Sequence, residues 1–208
     1  MGGGDPEPAP SERLAPLPAL LLYAVAMGFL ESVVVLYLRR LIGIGFAHVQ
    51  AAPSGPAWNG VAGMELAREA STLVMILAVA LLARRDWRGR LGAFAVVFGV
   101  WDISYYAWLV LLAGWPTGLL SWDLLFLIPA PWWGPVLSPL LVAAALVAGG
   151  VRFMRVAATR RADLPGAALA GLGAALLLLA FLLGAPPRFP WALYLPALAL
   201  FTAGLLRW

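Results

Sequence analysis

The chain has no cysteine and no lysine, one histidine, and few charged residues of either sign. Without cysteine there is no disulfide, no thiolate zinc site, no iron–sulfur cluster and no c-type haem attachment. A single histidine argues against haem held by two histidines and against the histidine-rich chemistry of membrane desaturases. Also missing are the HExxH zinc helix, the Walker lysine loop, the nucleophile elbow and the paired ExxH helices of ferritin-like di-iron sites. Charged side chains make up 12% of the 208 residues, against roughly 25% in soluble domains. The balance is apolar, with 63% hydrophobic residues and a mean hydropathy of +0.91. Several uncharged runs approach the roughly 20 residues that span a bilayer. The expected fold is an all-α, polytopic transmembrane helix bundle.

The net charge of +4 and pI near 10.1 do not point to nucleic acid. All fourteen basic residues are arginine, and they stand in short clusters between apolar runs, as in loops on the cytoplasmic face of a membrane. Nucleic acid is therefore not an expected partner; the lipid bilayer is. Arginine in place of lysine, with abundant Ala, Gly and Pro, fits a GC-rich bacterial genome, and the expected location is the bacterial cytoplasmic (inner) membrane.

Met1 to Pro10 are Gly/Pro-rich and acidic and are expected to be disordered, with residues 1–13 forming a tail. They lack the basic start of a signal peptide, and Pro6 stands where a myristoylation signal needs Ser or Thr. The first apolar run, about Leu17 to Ile42, is thus expected to be a retained span. Others follow from near Met64 to Arg84-Arg85, Leu91 to about Ala113, Pro135 to Val151, Leu164 to Gly184 and Trp191 to Leu206. Residues 14–208 read as one membrane domain, in which 28–150 is the candidate functional module and 164–208 are packing helices. Small residues at Ala167 and Gly171 have the spacing of a close helix contact.

Arginines set the orientation. The stretches Arg84–Arg90 and Arg152–Arg161 hold eight of the fourteen, so both are placed in the cytoplasm. One net crossing must then lie between Ala113 and Arg152. Residues 119–131 become a half-helix or re-entrant segment on the outer side, broken by Pro129 and Pro131. This gives about six spans, an interruption around 119–134, and both termini in the cytoplasm. Arg39 and Arg40 violate the rule, since they fall at the outer end of the first span.

With this topology five acids converge in depth: Glu31, Glu65, Glu69, Asp102 and Asp123. Glu65, Glu69 and Thr72 share one helix face, and Asp102, Tyr105 and Tyr106 share another. An aspartate at a helix centre costs about 2.5–3.5 kcal/mol, so five uncompensated acids would cost on the order of 10–15 kcal/mol. They are expected to face inward. Arg39, Arg40 and Arg68 are the only nearby cations, which leaves two negative charges for protons, a divalent cation or a basic substrate to answer. Local roles compete with this reading: an ion pair at a helix end for Glu65, Arg68 and Glu69, backbone capping for Asp102 and Asp123, snorkelling for Glu31, and a solvated loop for His48. Trp101 and Trp122, beside the aspartates, are either interfacial anchors or pocket walls.

The strings ELAREASTLVMILAV, FGVWDISYYAWL and GWPTGLLSWDLLFLIPAPWWGPVLSP resemble an uncharacterised family of bacterial polytopic membrane proteins with WDxxYY and WDxLFLIP segments. The resemblance covers roughly residues 28–150 and implies that this region is the functional module. It carries no activity.

Three functions fit. The first is a membrane-embedded enzyme acting on a lipid or isoprenoid substrate near the outer leaflet. Its catalytic set would be Glu31, Glu65, Arg68, Glu69, Asp102, Tyr105, Tyr106 and Asp123. In one version Glu31, Glu65, Glu69, Asp102 and Asp123, with His48 as a weaker candidate, hold one divalent cation (Mg, Mn or Fe); in the other the acids act as general acid and base. The second is a non-catalytic subunit or assembly factor, with a membrane-protein partner or a second copy of itself. The third is a small proton- or cation-coupled carrier.

Overall fold

A computed structural model describes residues 12, 14–43, 45, 55–156 and 163–207. Met1–Pro10, His48, Arg160 and Arg161 lie outside them. The described chain forms α1 (Leu17–Ile42), α2 (Pro56–Ala83), α3 (Trp87–Ala113), a hairpin of β1 (Trp122–Phe126) and β2 (Trp132–Pro135), then α4 (Leu137–Arg155), α5 (Leu164–Leu183) and α6 (Trp191–Arg207). Five of these helices are long and apolar enough to cross a membrane; α6 is apolar but shorter, at 17 residues. The chain is a multi-pass, helical membrane protein. Large apolar side chains such as Leu22, Leu82, Leu111 and Leu164 point outward, as lipid-facing residues do.

Helix ends follow local chemistry. Gly43 and Gly114 take the left-handed conformation that closes α1 and α3, with φ of 71° and 64°. Asp86 caps α3 by accepting from the Gly89 N–H at 2.7 Å, and the Arg84 guanidinium donates to the same carboxyl at 2.7 Å. Burial pushes that carboxyl up, but the hydrogen bonds from Arg84 and Gly89 outweigh it and hold the group below the usual carboxylate range. The second helix begins at Pro56, a turn and more before the expected Met64, because Pro at the first position is pre-set for a helix start.

Two apolar cores flank a central seam. One joins α1, α2 and α3 through Leu20, Ala24, Ile76, Val96, Val97 and Trp101. The other joins α4, α5 and α6 through Leu177, Phe181, Tyr194 and Phe201. The seam is the antiparallel pair α3 and α4. There a Cβ on Gly92 would lie 2.6 Å from the Gly150 carbonyl oxygen, and one on Gly150 would lie 2.7 Å from that of Gly92. Between α5 and α6 the close approach uses Gly166, Ala170 and Gly173 against Phe201 and Gly204. The expected contact at Gly171 is not made: Gly171 is exposed, with open space where its Cβ would be. The small-residue stripe is genuine, but α6 docks on the neighbouring face.

Residues 122–135 re-enter as a β-hairpin and not as a half-helix. The strands pair antiparallel with Asp123 opposite Gly134, Leu124 opposite Trp133 and Phe126 opposite Trp132, and a bulge falls between Leu124 and Phe126. Pro129 and Pro131 lack the N–H groups a helix needs. They sit in the turn, where the aromatic strand ends Phe126 and Trp132 come together at 5.7 Å. The hairpin penetrates deeply. Phe126 packs against the α1–α3 core, and the Leu127 N–H reaches Glu69, about 20 Å along α2 from its first residue at 1.5 Å per residue. Such backbone is tolerated at membrane depth only when protein covers it and its polar groups are matched.

Candidate functional site

The polar residues gather at the end of the bundle where α1 and α3 finish and α2 begins. They form two nodes. In the first, Arg68 on α2 donates to both oxygens of Glu65, at 2.7 and 3.0 Å, and to the Glu31 carboxylate on α1. Glu65 lies one turn before Arg68, so the bidentate fork is local, whereas Glu31 ties α1 to α2. All three side chains are mostly sheltered.

The second node is built on Asp123 of β1, which is 1% exposed. Its carboxylate accepts from Arg39 of α1 at 3.2 Å, from the Tyr106 hydroxyl of α3 at 3.2 Å and from the Leu124 N–H at 3.0 Å. Arg39 also lies over the Trp115 ring, 5.6 Å from its centroid. The Asp123 position is thus set by the hairpin and by two helices.

Tyr105 connects the nodes. Its ring meets Tyr106 edge-on at 4.9 Å, and Asp123, Arg39, Glu31 and Arg68 all lie within electrostatic range of its hydroxyl. Two acids stand outside the arginine pairs. Glu69 accepts from the Leu127 N–H at 2.9 Å. Asp102, half-buried on α3, is within electrostatic range of Asp123 and Tyr106 but has no hydrogen bond or ion pair among the described residues. Glu69 and Asp102 are therefore the two acids outside the arginine pairs, and Glu31 and Glu65 share the one charge of Arg68.

The shared face of Glu65, Glu69 and Thr72 is buried as a unit. Asp102, Tyr105 and Tyr106 lie together on α3, with Tyr106 the most enclosed of the three. Trp101 packs in the α1–α3 core, edge-on to Phe98 at 5.2 Å, and Trp122 meets Phe189 at 6.2 Å. Among the described residues no three Asp, Glu or His side chains gather where one metal ion would reach them; His48 is not among those residues. Two members of the site lie beyond the expected set: Arg39, expected only as a nearby cation, and the Leu127 N–H. Arg39 had a signal, its position against the charge rule; the backbone donor had none.

Glu69 is the acceptor for a backbone N–H at membrane depth, and its replacement separates that role from charge. Glu69→Leu should destabilise the protein by about 1–3 kcal/mol, the usual cost of stranding a buried donor. Glu69→Gln, which keeps a carbonyl oxygen, should recover most of the loss. Thermal unfolding in detergent checks both, and equal losses would mean that the carboxylate charge is what matters.

Comparison of the chain with models of protein families, with curated proteins and with solved structures gave no match.

Proposed function

We propose that the chain is a membrane-embedded enzyme of the bacterial cytoplasmic membrane, with both termini in the cytoplasm, that carries out acid/base chemistry on a lipid-like substrate near the outer leaflet. One observation carries this reading: two neighbouring carboxyl groups, Asp102 and Asp123, have opposite surroundings. Asp123 is held by a guanidinium, a phenol and a backbone N–H. Asp102 has none of these among the described residues. Paired acids in unlike environments divide the roles of acid and base between them. In this scheme Asp102 exchanges the proton with the substrate. Asp123 orients Tyr106, and Tyr105, lying between the ion pairs, supplies a hydroxyl to charge that develops during reaction. Arg68, Glu31 and Glu65 fix α1 against α2 and keep the site's shape, and Glu69 holds the hairpin tip.

The test is conversion of lipid. Purified protein in nanodiscs made from total bacterial lipid is incubated, and the lipids are compared by mass spectrometry with empty discs. A product should form, and Asp102→Asn should slow its formation by about 10²–10⁴-fold, the typical contribution of general acid–base catalysis, without lowering the unfolding temperature. A variant that leaves conversion intact would sink the assignment. Loss of pH-driven flux in liposomes without a lipid product would make the protein a carrier, and altered complex yield alone would make it a subunit.

A further inference from the structure

At the end of α1, Arg39 and Arg40 line a cleft of about 520 Å³ together with Leu36, Gly43, Leu112 and Ala113. That volume is in the range of small-molecule sites. Arg40 is exposed, and its side chain has no hydrogen bond or ion pair among the described residues. Arg39 faces the same cleft while bonded to Asp123. Of the two guanidiniums on the cleft, Arg39 is engaged by Asp123, and Arg40 presents its positive charge to whatever enters. Arginines at a helix C-terminus also suit the helix dipole, but that role requires no cleft. Nor does it explain why two adjacent arginines stand at the end of the bundle opposite Arg84, Arg85, Arg88 and Arg90, against the usual charge bias. The flanks are apolar: Tyr37, Leu41, Leu111 and Leu112 are exposed beside the cleft, on the lipid-facing surface of α1 and α3.

We propose that this cleft binds the headgroup of an anionic phospholipid, with the phosphodiester held by Arg40 and Arg39 and the acyl chains lying along α1 and α3. One negative charge meets the positive charge of Arg40, and the planar guanidinium fork matches phosphate oxygens. Because Arg39 contacts both the cleft and Asp123, a bound headgroup lies one side chain from the acid/base site. The proposal rests on the lipid-substrate reading only in that link; binding stands by itself.

The experiment measures binding of phosphatidylglycerol, phosphatidylcholine and free glycerol phosphate to the detergent-purified full chain by native mass spectrometry and thermal shift. Phosphatidylglycerol should bind saturably at one copy per chain and more tightly than phosphatidylcholine. Arg40→Gln should weaken it by about 10-fold or more, as expected for loss of a charge-assisted hydrogen bond. Arg188→Gln, at an exposed arginine of the α5–α6 connection, should not. Glycerol phosphate binding as well as the lipid would overturn the lipid assignment in favour of a free-anion site. Unchanged binding in Arg40→Gln, or many equivalent lipids per chain, would overturn the site. Asp102→Asn should bind phosphatidylglycerol like the wild type, so a failed catalytic reading leaves this result unaffected.

Discussion

Replacing Arg68 with methionine will cost the protein about 3–5 kcal/mol, the penalty for removing one partner from a buried ion pair. Arg68 serves two carboxylates, Glu31 and Glu65, and these side chains are only 13% and 10% exposed. Taking the guanidinium away leaves two mostly sheltered anions close together, with no other ion pair to either among the described residues. The geometry predicts the reversal as well. Glu31→Gln and Glu65→Gln added to Arg68→Met should regain most of the loss, because a neutral cluster of similar volume carries no stranded charge. Unfolding of the single and triple variants in micelles reads both effects. A single variant within about 1 kcal/mol of the wild type would mean that the cluster is effectively solvated, as surface pairs are.

Gly150→Leu should prevent the two halves of the bundle from docking. At this crossing the obstacle is backbone: a Cβ on Gly150 would sit 2.7 Å from the Gly92 oxygen and 3.0 Å from the Val96 nitrogen. Side chains can turn aside, but carbonyls in a helix cannot. Even Gly150→Ala should approach or exceed the upper end of the about 1–3 kcal/mol typical of overpacking, and leucine should exceed it clearly. Gly171→Leu is the control. It has open space around it and should stay within about 0.5 kcal/mol, as surface changes do. Similar losses at both positions would show that glycine content matters here for helix insertion and not for the α3–α4 contact.

Much of the architecture is legible in the chain because hydrocarbon leaves few solutions. An apolar run long enough to cross satisfies its backbone most simply as a helix, so α1 and α3 to α6 stand close to where hydropathy puts them. Their ends shift by a turn or less, while the second helix starts earlier than expected at Pro56. The convergence of acids is legible for a related reason: a carboxylate in such a run has to find a partner. The local pair expected among Glu65, Arg68 and Glu69 forms with Glu31 of α1 in the place of Glu69, a partner that charge arithmetic alone does not name.

Two kinds of information were not legible. One was the form of the interrupted segment. WDLLFLIPAPWWGP has the length of a half-helix, and what distinguishes a hairpin is cross-strand pairing, from Asp123 with Gly134 to Phe126 with Trp132, on either side of a proline-bearing turn. The other was which acid meets which group. Asp102 and Asp123 both follow a tryptophan, yet one is enclosed by three donors and the other is left to the field of its neighbours. Glu69 takes its proton donor from a main-chain amide 58 positions away. Long-range contacts of this kind depend on where the hairpin lands, and no local pattern encodes that.

The hairpin also constrains biogenesis. Its Leu127 N–H is completed by Glu69 and its aspartate by Arg39, both on helices synthesised earlier, so the segment after Ala113 needs α1 and α2 in place before it can settle. Trp132 also stacks on Phe181 and Trp122 meets Phe189, so the hairpin is completed only after α5 and the turn that follows it are made. A chain ending at Arg155 should therefore leave the segment exposed to protease, because Phe181 and Phe189, which Trp132 and Trp122 meet, are missing from it.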